Sequence, residues 1–254
     1  MNNYLILGLI LFAYMNVWFI VSLIKKRNDV ADIAWGWGFV VLAWASFFLS
    51  KTVSWQSVLV NILITIWGFR LALHIYARHR GRQEDYRYLE WRKQWGKWFF
   101  VRSYFQVFIL QGVFLFLIAL PAIFLNLHST FSWVFGIIGL LIWLVGFFFE
   151  AVGDYQLSRF IGNPDNKGKI MQGGLWHYTR HPNYFGEVAQ WWGIFIIALC
   201  AAGSFVTIIG PLTISILILF VSGIPLLEKK YIGNADFENY KKRTSVFFPW
   251  FVKK

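Results

Sequence analysis

Long apolar runs alternate with short, charged connections along the whole chain. About seven of these runs approach the roughly 20 residues a helix needs to cross the hydrocarbon of a bilayer. They cover approximately residues 4–24, 33–50, 53–77, 99–125, 131–153, 183–202 and 205–227. The second is the shortest and is interrupted by Gly36 and Gly38, and the fourth carries Pro121, a residue that kinks helices. The expected architecture is all-α: one polytopic membrane helix bundle spanning residues 1–254. No separate soluble domain, internal repeat or flexible linker is evident.

The connections are not equivalent. Lys25, Lys26 and Arg27 follow the first run. Arg78, Arg80, Arg82, Arg87, Arg92, Lys93, Lys97 and Arg102 follow the third. Arg159, Lys167, Lys169 and Arg180 follow the fifth, and the tail ends in Lys253 and Lys254. Lys51 alone lies in a connection of the opposite set. Cytosolic connections carry the excess of Lys and Arg, so the N-terminus is expected outside and the C-terminus in the cytosol. The acidic residues fall at the same ends as the basic ones, which concentrates polar chemistry in the cytosolic half.

Composition agrees. Of 254 residues, 58% are hydrophobic and 14% charged, against about 25% charged in a soluble domain. The net charge of +12 follows the connections, so it reads as topology and no nucleic-acid partner is expected. Cys200 is the single cysteine and forms no internal disulfide. Only Met1-Asn2-Asn3 precedes the first run, which is no basic leader, and no cleavable signal is expected.

The richest stretch is Gly173-Gly174-Leu175-Trp176-His177-Tyr178-Thr179-Arg180-His181-Pro182-Asn183-Tyr184, followed by Glu187 inside an apolar run. Proline suits the first position of a helix, so the sixth helix is expected to open near His181. Helix N-termini attract anions, and glycine lets backbone approach a ligand closely. Asn183 and Glu187 are four apart and share a face. An acid within the membrane either locks two helices through an Arg or marks a functional site. Glu150, Asp154 and Ser158 form a polar stripe ending the fifth run: Asp154 is suited to an amide or ribose, and Arg159 to a phosphate or to a local ion pair. Asp32, at the entry of the second run, either caps that helix or meets a substrate. His177/His181 and His74/His79 lack further ligands at metal spacing, and no metal is expected. Gly36-x-Gly38 follows no strand, which excludes a Rossmann reading.

Gly174-Leu175-Trp176 … Arg180-His181-Pro182-Asn183-Tyr184-Phe185-Gly186-Glu187 resembles the C-terminal signature of the steroid 5α-reductase and sterol reductase superfamily, closest to its bacterial membrane branch. Asp29 to Trp37, Trp67-Gly68-x-Arg70-Leu71, Asp154-Tyr155-Gln156-Leu157 and the tail from Tyr240 to Trp250 extend the likeness. The resemblance implies seven helices around NADPH, with hydride transfer to an electron-poor C=C of a steroid-like or other lipid. It divides the chain into a substrate half, about 1–77, and a cofactor half, about 78–254. It also implies an integral protein of a bacterial inner membrane, surrounded by membrane lipids, with its site open to the cytosol. By position it assigns Asp154, Asn183 and Glu187 to the cofactor, with Trp176, Tyr184 and Tyr240 lining it. Arg82, Lys169 and Arg180 match basic positions near the phosphates, and Arg159 joins them on its own chemistry. The animal enzymes polarise the ketone with a Glu of the second span and a Tyr of the third. Here Asp32 and Trp67 stand there, and His74 or Tyr76 are the available substitutes, so Asp32 and His74 are the catalytic candidates. Glu150 stands where that branch has Asn.

Two other readings share these residues. A membrane S-adenosylmethionine-dependent methyltransferase of the isoprenylcysteine carboxyl type shares an Arg-His-Pro-x-Tyr segment. A non-enzymatic lipid-binding protein is compatible with Trp67.

Overall fold

The computed structural model describes residues 2–128 and 131–252. Met1 and the tail lysines Lys253 and Lys254 lie outside the described residues. Among the described residues the chain is all-α, as the apolar runs predict. The helices are α1 (Asn3–Lys25), α2 (Val30–Phe48), α3 (Trp55–His79), α4 (Tyr86–Trp95), α5 (Phe99–Arg102), α6 (Leu110–Leu127), α7 (Trp133–Gly162), α8 (Pro182–Ala198), α9 (Ile209–Ile216), α10 (Ile224–Lys229) and α11 (Ala235–Arg243).

Among the described residues, six helical stretches are long and apolar enough to cross a membrane: Asn3–Lys25, Val30–Phe48, Trp55–His79, Tyr86–Leu127, Trp133–Gly162 and Ser204–Lys229. The remaining expected run is α8, which has 17 residues. At about 1.5 Å per residue it reaches roughly 25 Å, short of a ~30 Å hydrocarbon core. The fourth run sits inside a 42-residue helical stretch that includes a π-helical segment, Ser103–Ile109.

Two compact units make up the chain: Met1–Ser132 with Ala198–Gly210, and Trp133–Ile197 with Pro211–Lys254. The first unit therefore includes residues 78–132. The cause is polar as well as apolar. Tyr88 Oη donates to Asp32 at 2.8 Å, Asn28 Nδ2 to Ser103 Oγ at 2.7 Å, and Asn126 Nδ2 to Ser46 Oγ at 2.8 Å. Such bonds join helices where lipid offers no hydrophobic drive.

In this unit α3 opens with a reciprocal cap, Ser57 N to Ser54 Oγ at 3.1 Å and Ser54 N to Ser57 Oγ at 3.0 Å. The glycine that interrupts the second run is a contact point: a Cβ on Gly36 would lie 2.8 Å from the Gly68 carbonyl oxygen. Trp67 is buried and meets Phe39 edge-on at 5.3 Å.

Candidate functional site

In the second unit α7 and α8 pack backbone against backbone. Gly139, Gly146 and Gly153 recur every seventh residue on α7, as Gly186 and Gly193 do on α8. A Cβ on Gly139 would lie 2.5 Å from the Gly193 carbonyl oxygen, and one on Gly146 2.6 Å from that of Gly186. The order of contacts makes the helices antiparallel and sets the first turn of α8 against Gly153, 3.2 Å from the Asn183 amide nitrogen on the same measure.

This seam aligns two acid–amide pairs. Asn183 Nδ2 donates to Asp154 Oδ1 at 3.1 Å. Gln190 Nε2 donates to Glu150 Oε2. Glu150, Asp154 and Gln190 are buried. The acids are four apart on α7 and the amides seven apart on α8, each set on one face. Asn183 Oδ1 and Gln190 Oε1 are buried and have no hydrogen-bond partner among the described residues. Buried acceptors are nearly always paired, so two on one helix face are a signal. Glu187 lies between them along α8 and is half-buried.

The loop before α8 is tied down. Gly174 has φ +62°, and the Gln156 side-chain amide fills the space its Cβ would need. Its closest neighbour is thus another part of the chain. Trp176 is buried, its Nε1 donating to the Gly153 carbonyl at 3.1 Å, and Tyr240 Oη donates to the Trp176 carbonyl. Arg180 donates from Nε to Glu228 Oε1 at 2.9 Å and from Nη1 to the Thr244 carbonyl at 2.9 Å. His181 Nε2 lies 3.0 Å from the same Glu228 oxygen, and Tyr184 stacks on its ring at 5.7 Å. Burial holds the His181 imidazole below its ordinary pKa and outweighs the upward pull of Glu228.

The tail straps this loop. Arg180 N donates to the Ser245 carbonyl at 2.9 Å, Thr179 Oγ1 to that of Phe247 at 2.8 Å, and Trp250 N to that of Tyr178 at 2.9 Å. Arg159 and Lys169 are exposed, and Arg159 Nη1 contacts Tyr155 Oη at 3.3 Å.

Asp32, His74 and Arg82 belong to the first unit. Asp32 does not cap α2; the N-cap position is Asp29. Both Asp32 oxygens accept hydrogen bonds, Oδ2 from Arg87 Nη2 and Oδ1 from Tyr88 Oη, each at 2.8 Å. His74 is half-buried on α3, and Arg82 is exposed. Beside Asp32, the fully buried Asp29 accepts from Arg27 Nε and Nη2, both at 2.6 Å, and from the Asp85 amide at 3.0 Å. Burial alone would raise the Asp29 pKa. The bonds from Arg27 and the Asp85 amide, with the positive charges nearby, hold it below the ordinary value.

Sequence reasoning missed Gln190, Tyr88 and Glu228. Gln190 carried a signal, a polar residue two turns beyond Asn183 on one face of an apolar helix. Tyr88 and Glu228 carried none, because their partners are 47 to 56 residues away.

The family described as "Protein of unknown function (DUF1295)" matches residues 18–244. An uncharacterised protein of Schizosaccharomyces pombe is 24% identical over 233 residues, 80% of this chain and 67% of that protein. The steroid 5-alpha-reductase DET2 of Gossypium hirsutum is 40% identical over 66 residues, 26% of this chain and 25% of that enzyme. The 3-oxo-5-alpha-steroid 4-dehydrogenase 1 of Homo sapiens is 32% identical over 68 residues, 27% of this chain and 26% of that enzyme. The match thus spans about a quarter of these two named reductases. No solved structure matches the chain. The extent of the family match and the six apolar helices together identify the chain as an integral membrane protein belonging to the DUF1295 family, which is the steroid 5α-reductase-like family.

Proposed function

We propose that the chain is a membrane-embedded, NADPH-dependent reductase of a C=C bond, of enone type, in a steroid-like or other lipid substrate, with its site open to the cytosol. The observation that carries this reading is Asn183. Its amide nitrogen is held by Asp154, and its buried carbonyl oxygen has no partner among the described residues. A nicotinamide carboxamide offers N–H donors and one acceptor. An oriented side-chain carbonyl beside carboxylates fits the donors. The names of the two reductases support the class of reaction.

When bound, NADPH would supply the hydride. The chain's part is binding and orientation. Asn183, Asp154 and Glu187 would hold the carboxamide end, with Trp176 and Tyr184 beside it. Arg159 and Lys169 are exposed cations suited to phosphates. Arg180 and Tyr240 would act by fixing the loop, since their polar groups bind Glu228 and the carbonyls of Thr244 and Trp176. On the first unit, Asp32 and His74 toward the substrate and Arg82 toward a phosphate rest on the resemblance. Asp32 as bonded here is an acceptor, so a substrate group meeting it would be a donor, or Asp32 would orient Tyr88.

Titration of the purified protein in detergent with NADPH, NADH and S-adenosylmethionine tests the reading. NADPH should bind most tightly. Tight binding of S-adenosylmethionine without NADPH binding would replace the reductase with a methyltransferase.

A further inference from the structure

Beyond the strapping bonds, the tail holds three large aromatics outward. Phe248 and Trp250 are each 69% exposed and Phe251 79%. With Arg243 and Ser245 they line an open cleft of about 260 Å³. Arg243 is exposed, and its Nη2 contacts Gln172 Oε1 at 3.4 Å, next to Gly173. Lys241 and Lys242, just before Arg243 in the same last turn of α11, are also exposed.

Three exposed aromatics beside a guanidinium form an apolar patch of the kind that marks interaction sites. This patch is continuous with a membrane-crossing helix. Phe248 meets Phe185 at 6.1 Å, and Phe185 meets Phe149 of α7 at 5.0 Å. Phe148, beside Phe149, is 52% exposed on that helix. Tryptophan gathers at the level of lipid headgroups, and Arg binds phosphate through its planar fork.

We infer that this cleft is a binding site for an anionic phospholipid of the surrounding bilayer. Arg243 and Ser245 take the headgroup phosphate, and Phe248, Trp250 and Phe251 lie against the upper acyl chains. The bound lipid holds down the same tail that straps residues 178–180. The inference does not depend on the reductase reading.

A fluorophore reports on the cleft directly. On a Cys200→Ser background, Phe251→Cys carries an environment-sensitive nitrobenzoxadiazole label in nanodiscs, with labelled Lys167→Cys as an exposed control. At position 251, quenching by a shallow spin-labelled lipid should exceed quenching by aqueous iodide about threefold, and the control should show the reverse. Adding phosphatidylglycerol to phosphatidylcholine discs should shift the label's emission to the blue. Arg243→Gln should abolish that response, and Arg243→Lys should retain part of it; near-UV circular dichroism checks that each variant is folded. Iodide quenching at 251 equal to the control would overturn the site. So would a lipid response unchanged in Arg243→Gln. Reversal of the blue shift by free glycerophosphate at millimolar concentration would reassign the cleft to a soluble phosphate.

Discussion

Asn183 gives its side-chain amide to Asp154 at 3.1 Å, while its own carbonyl oxygen, buried beside it, has no partner among the described residues. Asn183→Ala should weaken NADPH binding about 2- to 12-fold, the loss of one hydrogen bond of roughly 0.5–1.5 kcal/mol. Asn183→Asp should be worse, since it sets a second negative charge against Asp154. Calorimetric titration in detergent measures both, and wild-type affinity in both variants would remove Asn183 from the site.

Asp32 and Tyr88 form the matching test on the first unit. Asp32→Asn should lower turnover while leaving NADPH affinity intact. Tyr88→Phe should lower turnover less and cost about 1 kcal/mol of stability. Steady-state rates beside binding isotherms separate the two effects, and full turnover in both would leave this pair a structural link between α2 and α4.

Two glycines of one chain should respond oppositely to the same methyl group. At Gly146 a Cβ would sit 2.6 Å from the Gly186 carbonyl oxygen and 2.8 Å from the Gln190 amide nitrogen. Gly146→Ala should therefore destabilise by roughly 1–3 kcal/mol. At Gly8 nothing lies within 4 Å, so Gly8→Ala should gain about 0.5–1 kcal/mol from helix propensity. Thermal unfolding in detergent reads both.

Glu228 pairs with two residues of the loop, the Arg180 guanidinium at 2.9 Å and the His181 imidazole at 3.0 Å. Arg180 is buried and Glu228 part-buried, so removing the carboxylate should cost somewhat less than the roughly 3–5 kcal/mol of a fully buried pair. Glu228→Ala should show this as faster amide exchange in residues 173–181, with α7 unchanged. Arg180→Lys keeps the charge, loses the fork and should fall between. Unaltered exchange in that loop would mean that the tail alone holds it.

Stability should fall in two steps on acidification. Burial holds His181 below its ordinary pKa near 6.5, so the unfolded chain binds the proton first and stability declines below about pH 6.5. Asp29 and Asp85 have folded pKa values below the ordinary carboxylate range. Burial opposes that shift in both; hydrogen bonds and charge from Arg27 and Arg87 outweigh it. Their stabilisation is complete above about pH 4 and is lost as pH drops through the lowered values. Asp29→Asn should flatten the lower step, and a pH series of unfolding temperatures would show it.

The apolar runs were legible because length and hydropathy alone define a span. The face shared by Asn183 and Glu187, and the start of α8 at Pro182, followed from helical spacing and from proline's missing N–H. What local pattern could not carry was partnership. Gly36 read as an interruption because its neighbour, Gly68, lies in another helix. Arg180 read as an anion ligand because Glu228 lies 48 residues on. The π-helical segment Ser103–Ile109 leaves no trace in a 3.6-residue pattern.

Where Gly139 meets Gly193 and Gly146 meets Gly186, close main-chain contact leaves α7 and α8 little soft layer. Side chains yield to stress by changing rotamer, but carbonyl oxygens set against main-chain atoms do not. Such a joint resists sliding and rolling, so the two helices form one stiff strut that keeps the Asp154–Asn183 and Glu150–Gln190 pairs at constant spacing. On the proposed reading, opening to admit a ligand falls to the 163–173 connection and the strapped tail. These are fastened by individual hydrogen bonds, which can be released one at a time.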